Sequence, residues 1–328
     1  MYNLKSSSVG PVARQSMVLE KVGDLTPTIL EEILQHSLSN PAIHVTNVQS
    51  PRGHGGINDQ YGSELAKIEV TLEEDGIPRT LHIFIKEALE TGVVAWMSHV
   101  LRNFPFSREV FFFNTALPEL LRAVSAEQAA ALAEFMPKVH YAHSNYQQEG
   151  SQGCFLTRPK EKGIILMKNL KEGDGDNYVD MKEIECTSGG GVKTVHMRML
   201  LKAMAHFHGA WMVWLTKGIG MGDMSMDQLI EFFTQYRTRG PLSWKWMQKS
   251  FMKDYMIYYT ALAESKNMPQ TKERIQQFIN SSQSVDNILK VFEFQDSKFK
   301  TMCHSDLRTA QIMFSLNEDG KYLNKQTF

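Results

Sequence analysis

Apolar and polar residues alternate along two stretches in the first third of the chain, which is the pattern of half-buried β-strands. The stretches are Ala66–Leu72 and Leu81–Lys86, and Glu74–Gly76 between them has the composition of a tight turn. An apolar run over Ile43–Val48 precedes them. The pattern therefore predicts an antiparallel meander of three strands.

Apolar residues at helical spacing predict several helices around these strands. Leu25–Leu34 begins one, with Thr26 as its cap, Pro27 in its first turn and three apolar residues on one face: Leu30, Ile33 and Leu34. Ser107–Leu117 has a strongly helical pattern, and Ala126–Phe135 consists mainly of good helix formers.

Two further sheet segments follow in the sequence. One lies around 137–146, and the other, Gly163–Leu170, is an apolar strand that ends abruptly in polar residues. Such a strand end can connect two lobes and offer backbone groups to an adenine ring. Glycine and acidic residues dominate Glu172–Asp176, and this change in composition predicts a lobe boundary.

Helices are predicted for the rest of the chain as far as residue 298. They cover Gly191–Leu215, Ser225–Thr238, Leu242–Ser265 and Lys272–Phe292. In the first of them, residues at three- and four-residue steps predict the buried face: Met197, Leu200, Leu201, Met204, His208 and Trp211. His206 and His208 are two positions apart and face different directions, so we interpret them as core or interlobe residues rather than metal ligands.

This order of elements predicts an α+β protein with two lobes. Residues 1–24 are rich in serine and glycine and are expected to form a flexible arm. Residues 25–170 would form an N-terminal lobe with an antiparallel sheet, and residues 171–328 a mainly helical C-terminal lobe.

A polar turn between two short apolar runs near the C-terminus is the main candidate for chemistry. His304-Ser305-Asp306 lies within Thr301–Phe314, in a strand-loop-strand layout. His-x-Asp-x-x-x-x-Asn is the catalytic loop of phosphotransferases, where the aspartate accepts the proton of the attacking hydroxyl and the asparagine binds metal. Gln311 stands at the asparagine position. A hydrogen-bonded turn between two core strands would explain the same residues.

A lysine and a glutamate form a second candidate pair. Glu109 shares a helical stripe with apolar residues, and a carboxylate buried without a partner costs roughly 3–5 kcal/mol, so it should have a cation nearby. Lys86 at the end of the third predicted strand is one candidate, in the arrangement that binds phosphates in kinase-like folds. Arg108 or Arg102 would be a local alternative, with Lys86 as a solvated strand-end charge.

Glycines cluster between the first two strands, at Gly53–Gly56 and at Gly62-Ser63. Their backbone N–H groups can surround a phosphate. The chain has no Gly-x-Gly-x-x-Gly or Walker pattern, so a flexible hairpin loop explains these glycines as well.

Composition narrows the possible classes of protein. The net charge of −1 argues against a nucleic-acid or anionic-membrane surface. The three cysteines are far apart, which favours a reducing compartment over a disulfide framework or a structural zinc site. The N-terminus lacks a signal-peptide core, so we expect a cytoplasmic protein.

The order and spacing of five motifs resemble the ecdysteroid kinase-like (CHK kinase-like) family, which is related to choline kinases and aminoglycoside phosphotransferases. The motifs are Phe84–Lys86, Ser107–Phe113, Ile165–Leu170, Ala205–Ala210 and His304–Phe314. They occur in the family's order from about residue 25 to the end of the chain.

The resemblance implies a bilobal protein-kinase-like fold that uses ATP and Mg²⁺ to phosphorylate a small-molecule alcohol. Lys86 would contact the phosphates and Glu109 would orient it. Asp306 would be the catalytic base, with His304 supporting its loop and Gln311 at the metal. The expected ATP contacts also include Gly62, Ser63 and the backbone at the end of one strand: Met167, Lys168 and Leu170.

The sequence departs from the family pattern at three places. Ser305 replaces a glycine, and Gln311 replaces an asparagine and moves the amide outward by one methylene. The family also has a later metal-binding aspartate and further helices, beyond the point corresponding to Phe328. We therefore expect a fragment with little activity. The alternatives are a pseudokinase-like nucleotide-binding or scaffold protein, or a choline/ethanolamine-type kinase.

Overall fold

The structure is a computed structural model. It describes residues 18–53, 63–89, 105–145, 161–171, 177–180, 194–217, 224–229, 244–280, 312–316 and 322–327.

The main sheet contains six strands and is antiparallel at every pairing described. Its order is β1-β3-β4-β6-β5, with the short β2 also paired to β3. The bounds are β1 Ile43–Val48, β2 Arg52–Gly53, β3 Ser63–Glu74, β4 Ile77–Ala88, β5 Val139–Ser144 and β6 Gly163–Lys168. The predicted meander is therefore present within a larger sheet.

The β3–β4 hairpin is the longest pairing in this sheet. Each strand has 12 residues, longer than the alternating stretches that predicted them. The turn residues Asp75 and Gly76 both have positive φ, 52° and 78°. A two-residue hairpin turn of this kind matches the right-handed twist of its strands, and aspartate followed by glycine is among the sequences that adopt it most readily.

Helix α1, Pro27–Leu38, covers one face of the sheet. The Thr26 hydroxyl accepts a hydrogen bond from the N–H of Ile29 at 3.3 Å, as the sequence predicts. The predicted apolar face is confirmed. Its three residues are buried with strand residues that share this side, which we call the α1 face: Leu30, Ile33 and Leu34 with Ile68, Val70, Leu72, Ile83 and Ile85.

The end of the predicted flexible arm packs on the α1 face. Leu19 is buried, and its N–H donates to the hydroxyl of Tyr141 at 3.2 Å. The N–H of Val22 donates to the carboxylate of Glu87 at 2.7 Å. Residues 18–24 therefore pack on the sheet, with Leu19 in its core. The rest of the predicted arm lies outside the described residues.

The opposite face of the sheet is covered by a long helical segment, and we call this side the α2 face. The segment consists of α2 Pro105–Phe111, a π-helical turn Phe112–Ala116 and α3 Leu117–Ala123. Phe106 and Val110 are buried there with Ala88, Ala142 and Ile165. Helix α4, Ala126–Glu134, then begins with reciprocal side-chain caps from Ser125 and Gln128.

Helix α5, Thr194–Thr216, buries a different face from the one predicted. Met197 and Leu201 are 40% and 55% exposed, whereas Leu200 and Trp211 are buried as expected. The buried set is His196, Met199, Leu200, Ala203, Phe207, Ala210, Trp211 and Trp214. The prediction was wrong because apolar residues occur around most of this helix, so that spacing alone did not select the face that packs on α3 and α4.

A second sheet has three antiparallel strands in the order β7-β8-β9. They are β7 Asn177–Asp180, β8 Met313–Leu316 and β9 Tyr322–Thr327. The strand at 313–316 agrees with the strand predicted after the polar turn, whereas β7 was missed beside the acidic stretch. On β8, Phe314 is fully buried against the ring of His196 in α5, 5.1 Å between centroids.

Two more helices, α6 Trp244–Ser265 and α7 Pro269–Asn280, pack against each other. Both were predicted, although α7 begins three residues before the predicted Lys272 and the remainder of its predicted span lies outside the described residues. Of the predicted helix at 225–238, residues 226–229 are described and helical. Among the described helices, none has the length and apolar composition needed to cross a membrane.

The contact between α1 and the main sheet contains a half-buried histidine. The Oγ atom of Ser37 lies 2.9 Å from Nδ1 of His140 on β5. Burial, together with the smaller effect of the positive charges of Lys138 and Lys168, lowers the pKa of His140 to about 4. The native state therefore favours a neutral imidazole.

We expect acid to destabilise the protein through His140. Its pKa falls from 6.5 to about 4 on folding, so between these values the unfolded chain binds a proton that the native state does not. The contribution of neutral His140 to the free energy of unfolding is fully present above pH 6.5. It decreases as the pH falls, by roughly 3 kcal/mol at most. Urea unfolding from pH 7.5 to pH 4 should show this loss, and His140→Gln should remove it. The exposed His44 provides the control: a His44→Gln profile as flat as that of His140→Gln would contradict the assignment.

Candidate functional site

Lys86 and Glu109 form an ion pair on the α2 face of the sheet. The Lys86 Nζ atom lies 2.7 Å and 2.6 Å from the two carboxylate oxygens of Glu109. The predicted pairing of Lys86 with Glu109 is therefore present in the structure. The two side chains are 24% and 31% exposed, so water reaches the pair and its contribution to stability is about 1 kcal/mol or less.

The alternation along β4 determines where Lys86 lies. Ile83 and Ile85 are buried on the α1 face, so Lys86 projects from the opposite side. Leu65 is its partner on β3 and Ile165 its partner on β6. An ammonium group is thus held in the middle of a sheet face, half-buried by apolar neighbours.

Glu109 lies at the margin of the apolar stripe of α2 rather than at its centre. Phe106 and Val110 are 2% and 8% exposed, whereas the Glu109 side chain is 31% exposed. The sequence prediction of a carboxylate pointing into the apolar side was therefore too strong. Its exposed position leaves the ion pair accessible to a ligand.

Two sets of contacts fix the helix on either side of Glu109. Before it, the N–H of Ser107 donates to Glu161 at 2.6 Å, and the Ser107 hydroxyl contacts both Glu161 and Ser144. After it, the side-chain amide of Asn114 donates to the carbonyl of Ala142 at 2.8 Å. Asn114 lies within the π-helical turn, a feature that is rare in helices and frequent at functional sites.

Glu161 is a half-buried carboxylate beside the start of α2. Burial raises the pKa of Glu161, and the hydrogen bonds from Ser107 and the charge of Arg108 act in the opposite direction. Sequence reasoning missed Glu161, Ser144 and Asn114. No spacing rule marks a polar residue whose contacts lie 28 to 54 residues away along the chain.

The end of β6, predicted to contact adenine, has most of its N–H groups engaged. The N–H of Lys168 donates to the carbonyl of Lys138, and that of Asn169 to the carbonyl of His82, both at 2.8 Å. The buried Asn169 side chain accepts from the N–H of Lys171 at 3.1 Å. Leu170 is the first residue after the strand whose N–H forms no hydrogen bond with the described residues.

Met167 and Ser63, two other predicted ATP contacts, lie on the α2 face. Met167 packs with the cluster that contains Ile165. Ser63 is the first residue of β3, where it is buried and pairs with Ala88, two residues beyond Lys86 on β4. Gly62 lies outside the described residues.

The predicted catalytic loop also lies outside the described residues. His304, Asp306 and Gln311 precede β8, where Ile312 and Phe314 are buried against α5 through Met199 and Leu200. In the described part of the chain, no group of three or more histidine, cysteine or acidic residues is arranged to hold a metal ion.

Comparison with known proteins gave one family. The model of the ecdysteroid kinase-like family matches residues 58–326, which is most of the chain and includes Lys86, Glu109 and the predicted catalytic loop. No curated protein and no solved structure matches the chain.

Gly163 allows β5, β6 and α2 to approach one another, and its substitution tests this packing. A Cβ atom there would lie 2.3 Å from the carbonyl oxygen of His143, 2.8 Å from Phe106 and 2.9 Å from Ser144. We expect Gly163→Ala to lower the free energy of unfolding by about 2–3 kcal/mol, because backbone must move to admit the methyl group.

Gly209→Ala is the matched control. Its Cβ would meet nothing within 4 Å inside helix α5, so this variant should gain about 0.5–1 kcal/mol in urea unfolding. Equal stability of the two variants would show that the close contact at Gly163 is not a constraint.

Proposed function

The chain belongs to the ecdysteroid kinase-like family, whose members are kinase-like small-molecule phosphotransferases, and we propose that it transfers a phosphoryl group from ATP to a small-molecule alcohol. One observation carries the proposal most directly. The Lys86–Glu109 pair joins a strand to a helix on one face of an antiparallel sheet. A lysine oriented by a glutamate in this way is how kinases contact nucleotide phosphates.

The residues around the pair are suited to the two ends of ATP. Lys86 would bind the phosphates and Glu109 would hold its ammonium group in place. Ser63, and with it Gly62, would contribute backbone N–H groups beyond Lys86. Met167 and Lys168 would flank the adenine, and the N–H of Leu170 would donate to it, since the sheet engages the N–H groups of Lys168 and Asn169.

The chemical step would take place at the loop that precedes β8. The Asp306 carboxylate would accept the proton of the acceptor hydroxyl, whose oxygen then forms the new bond to phosphorus while ADP leaves. His304 would support this loop, and the Gln311 amide oxygen would hold Mg²⁺. The metal supplies neutralisation of the phosphate charge when bound.

We also propose that the protein has two lobes, with residues 25–170 carrying the nucleotide face and residues 171–328 carrying the catalytic loop. The order of the elements supports this division, because the six-stranded sheet belongs to the first part and α5, α6 and α7 to the second. We also propose a cytoplasmic location, where ATP is available as the phosphoryl donor.

Lys86→Met tests the phosphate contact. The substitution keeps the length of the side chain and removes its charge, so we expect kcat/KM for ATP to fall by about 10²–10³. ADP formation with a panel of steroid alcohols and aminoalcohols measures this. The control is Lys162→Met, which removes a lysine paired with Glu20 at 3.5 Å and should leave the rate unchanged. Equal rates in the wild type and Lys86→Met would reject the role of Lys86.

Asp306→Ala tests the proposed base. We expect kcat to fall by about 10²–10⁴ while the affinity for ATP changes little, because this carboxylate acts on the acceptor hydroxyl. Steady-state rates and nucleotide titration separate the two effects. If the wild-type protein binds ATP and phosphorylates no alcohol in the panel, the nucleotide-binding pseudokinase becomes the better description.

A further inference from the structure

A carboxylate and two hydroxyl groups meet where α2, β5 and β6 come together. We call Glu161, Ser107 and Ser144 the Glu161 cluster. Glu161 Oε1 accepts from the N–H of Ser107 at 2.6 Å and also from its hydroxyl, and the two serine Oγ atoms are 2.6 Å apart. Ser107 is 5% exposed.

The hydrogen atoms of the cluster have one arrangement when Glu161 is ionised. A carboxylate only accepts, so Ser107 must donate its single hydroxyl hydrogen to Glu161. The Ser144 hydroxyl must then donate to Ser107. This directed chain links β5 to α2 and α2 to Glu161, two residues before β6. Hydrogen bonds to a charged group are stronger than those between neutral groups.

The cluster lies one half-turn of helix before Glu109. Ser107 is in the first turn of α2, where backbone N–H groups lack partners within the helix, and Glu161 supplies one. Asn114 fixes the same helical segment to Ala142 on the far side of Glu109. The position of Glu109 along and around the helix axis is therefore set by contacts with the strands rather than by Lys86 alone.

We propose that Glu161 is a positioning residue, which holds the start of α2 so that Glu109 meets Lys86. The inference rests on the proposed function for its link to ATP, and it assigns Glu161 no contact with substrate. Its structural content is independent of that function: removing the charge of Glu161 should loosen the Lys86–Glu109 pair.

Glu161→Gln and Ser107→Ala are the test variants. The first keeps the size of the side chain and removes its charge; the second removes the hydroxyl and keeps the backbone N–H. Each should raise KM for ATP about tenfold, the expected effect of losing a charge-assisted hydrogen bond, while KM for the acceptor stays unchanged. Glu20→Gln is the control, since it removes a carboxylate that pairs with Lys162, the residue after Glu161.

A double-mutant cycle separates positioning from general stability. If Glu161 acts through Glu109, then Glu161→Gln should change KM for ATP by less than about twofold in a Glu109→Gln background. Effects that multiply in the double variant would overturn the inference, because they would show that Glu161 acts by another route. An unchanged KM in both single variants would overturn it as well.

The chemical reactivity of Lys86 provides a test that needs no enzymatic activity. An ion-paired ammonium is a poor nucleophile, so an amine-acylating reagent should modify Lys86 several times faster in Glu161→Gln than in the wild type, with Lys162 as internal reference. Faster acylation in a protein that transfers no phosphate would reject the proposed function and keep the inference. Unchanged acylation of Lys86 would reject the inference whatever the activity.

Discussion

The Lys86–Glu109 ion pair requires a strand and a helix to be held at one separation, and much of the first 170 residues serves that requirement. Lys86 comes from β4 in the centre of the sheet, with β3 on one side and β6 on the other. Glu109 comes from a helix that reaches the sheet through its own apolar residues, Phe106 and Val110. Water reaches both side chains, so burial alone does not fix the distance and orientation of the ion pair. The backbone around the pair must therefore be fixed by other contacts.

Those contacts divide between the two faces of the sheet. On the α1 face, a continuous apolar core holds the strands together and continues through Leu19 into the N-terminal segment. On the α2 face, apolar contact is supplemented by hydrogen bonds that specify position, from Ser107 to Glu161 and from Asn114 to Ala142. Apolar packing contributes most of the free energy, while directional bonds select one arrangement of the helix. A face that binds a polar ligand needs directional hydrogen bonds to hold its elements in one arrangement.

The elements that the sequence predicted are those whose signals are local. The start of α1 at Thr26-Pro27 and the alternation in β3 and β4 depend on neighbours within a few residues, and both agree with the structure. The Lys86–Glu109 pair was predicted by a charge argument together with the family pattern. The roles of Asp306, His304 and Gln311 stay predictions, since those residues lie outside the described part of the chain.

The features that the sequence did not reveal depend on distant contacts. The prediction of the buried face of α5 was wrong because apolar residues surround the helix. Its packing against α3 and α4 decides which of them are covered. Strand β7 forms only beside β8, more than a hundred residues later in the chain. The π-helical turn at Phe112–Ala116 has no composition signal; it accommodates one extra residue between two points that the sheet holds fixed.

That extra residue has a consequence for how this segment can vary among related sequences. Deleting one residue from the turn would restore a regular α-helix and leave the segments on both sides facing the sheet as before. The same deletion from a regular α-helix would instead rotate one side by about 100° relative to the other. Relatives that lack the turn can therefore attach this helix to the sheet in the same way with one residue fewer. An alignment that passes through it without a gap would pair residues pointing in different directions.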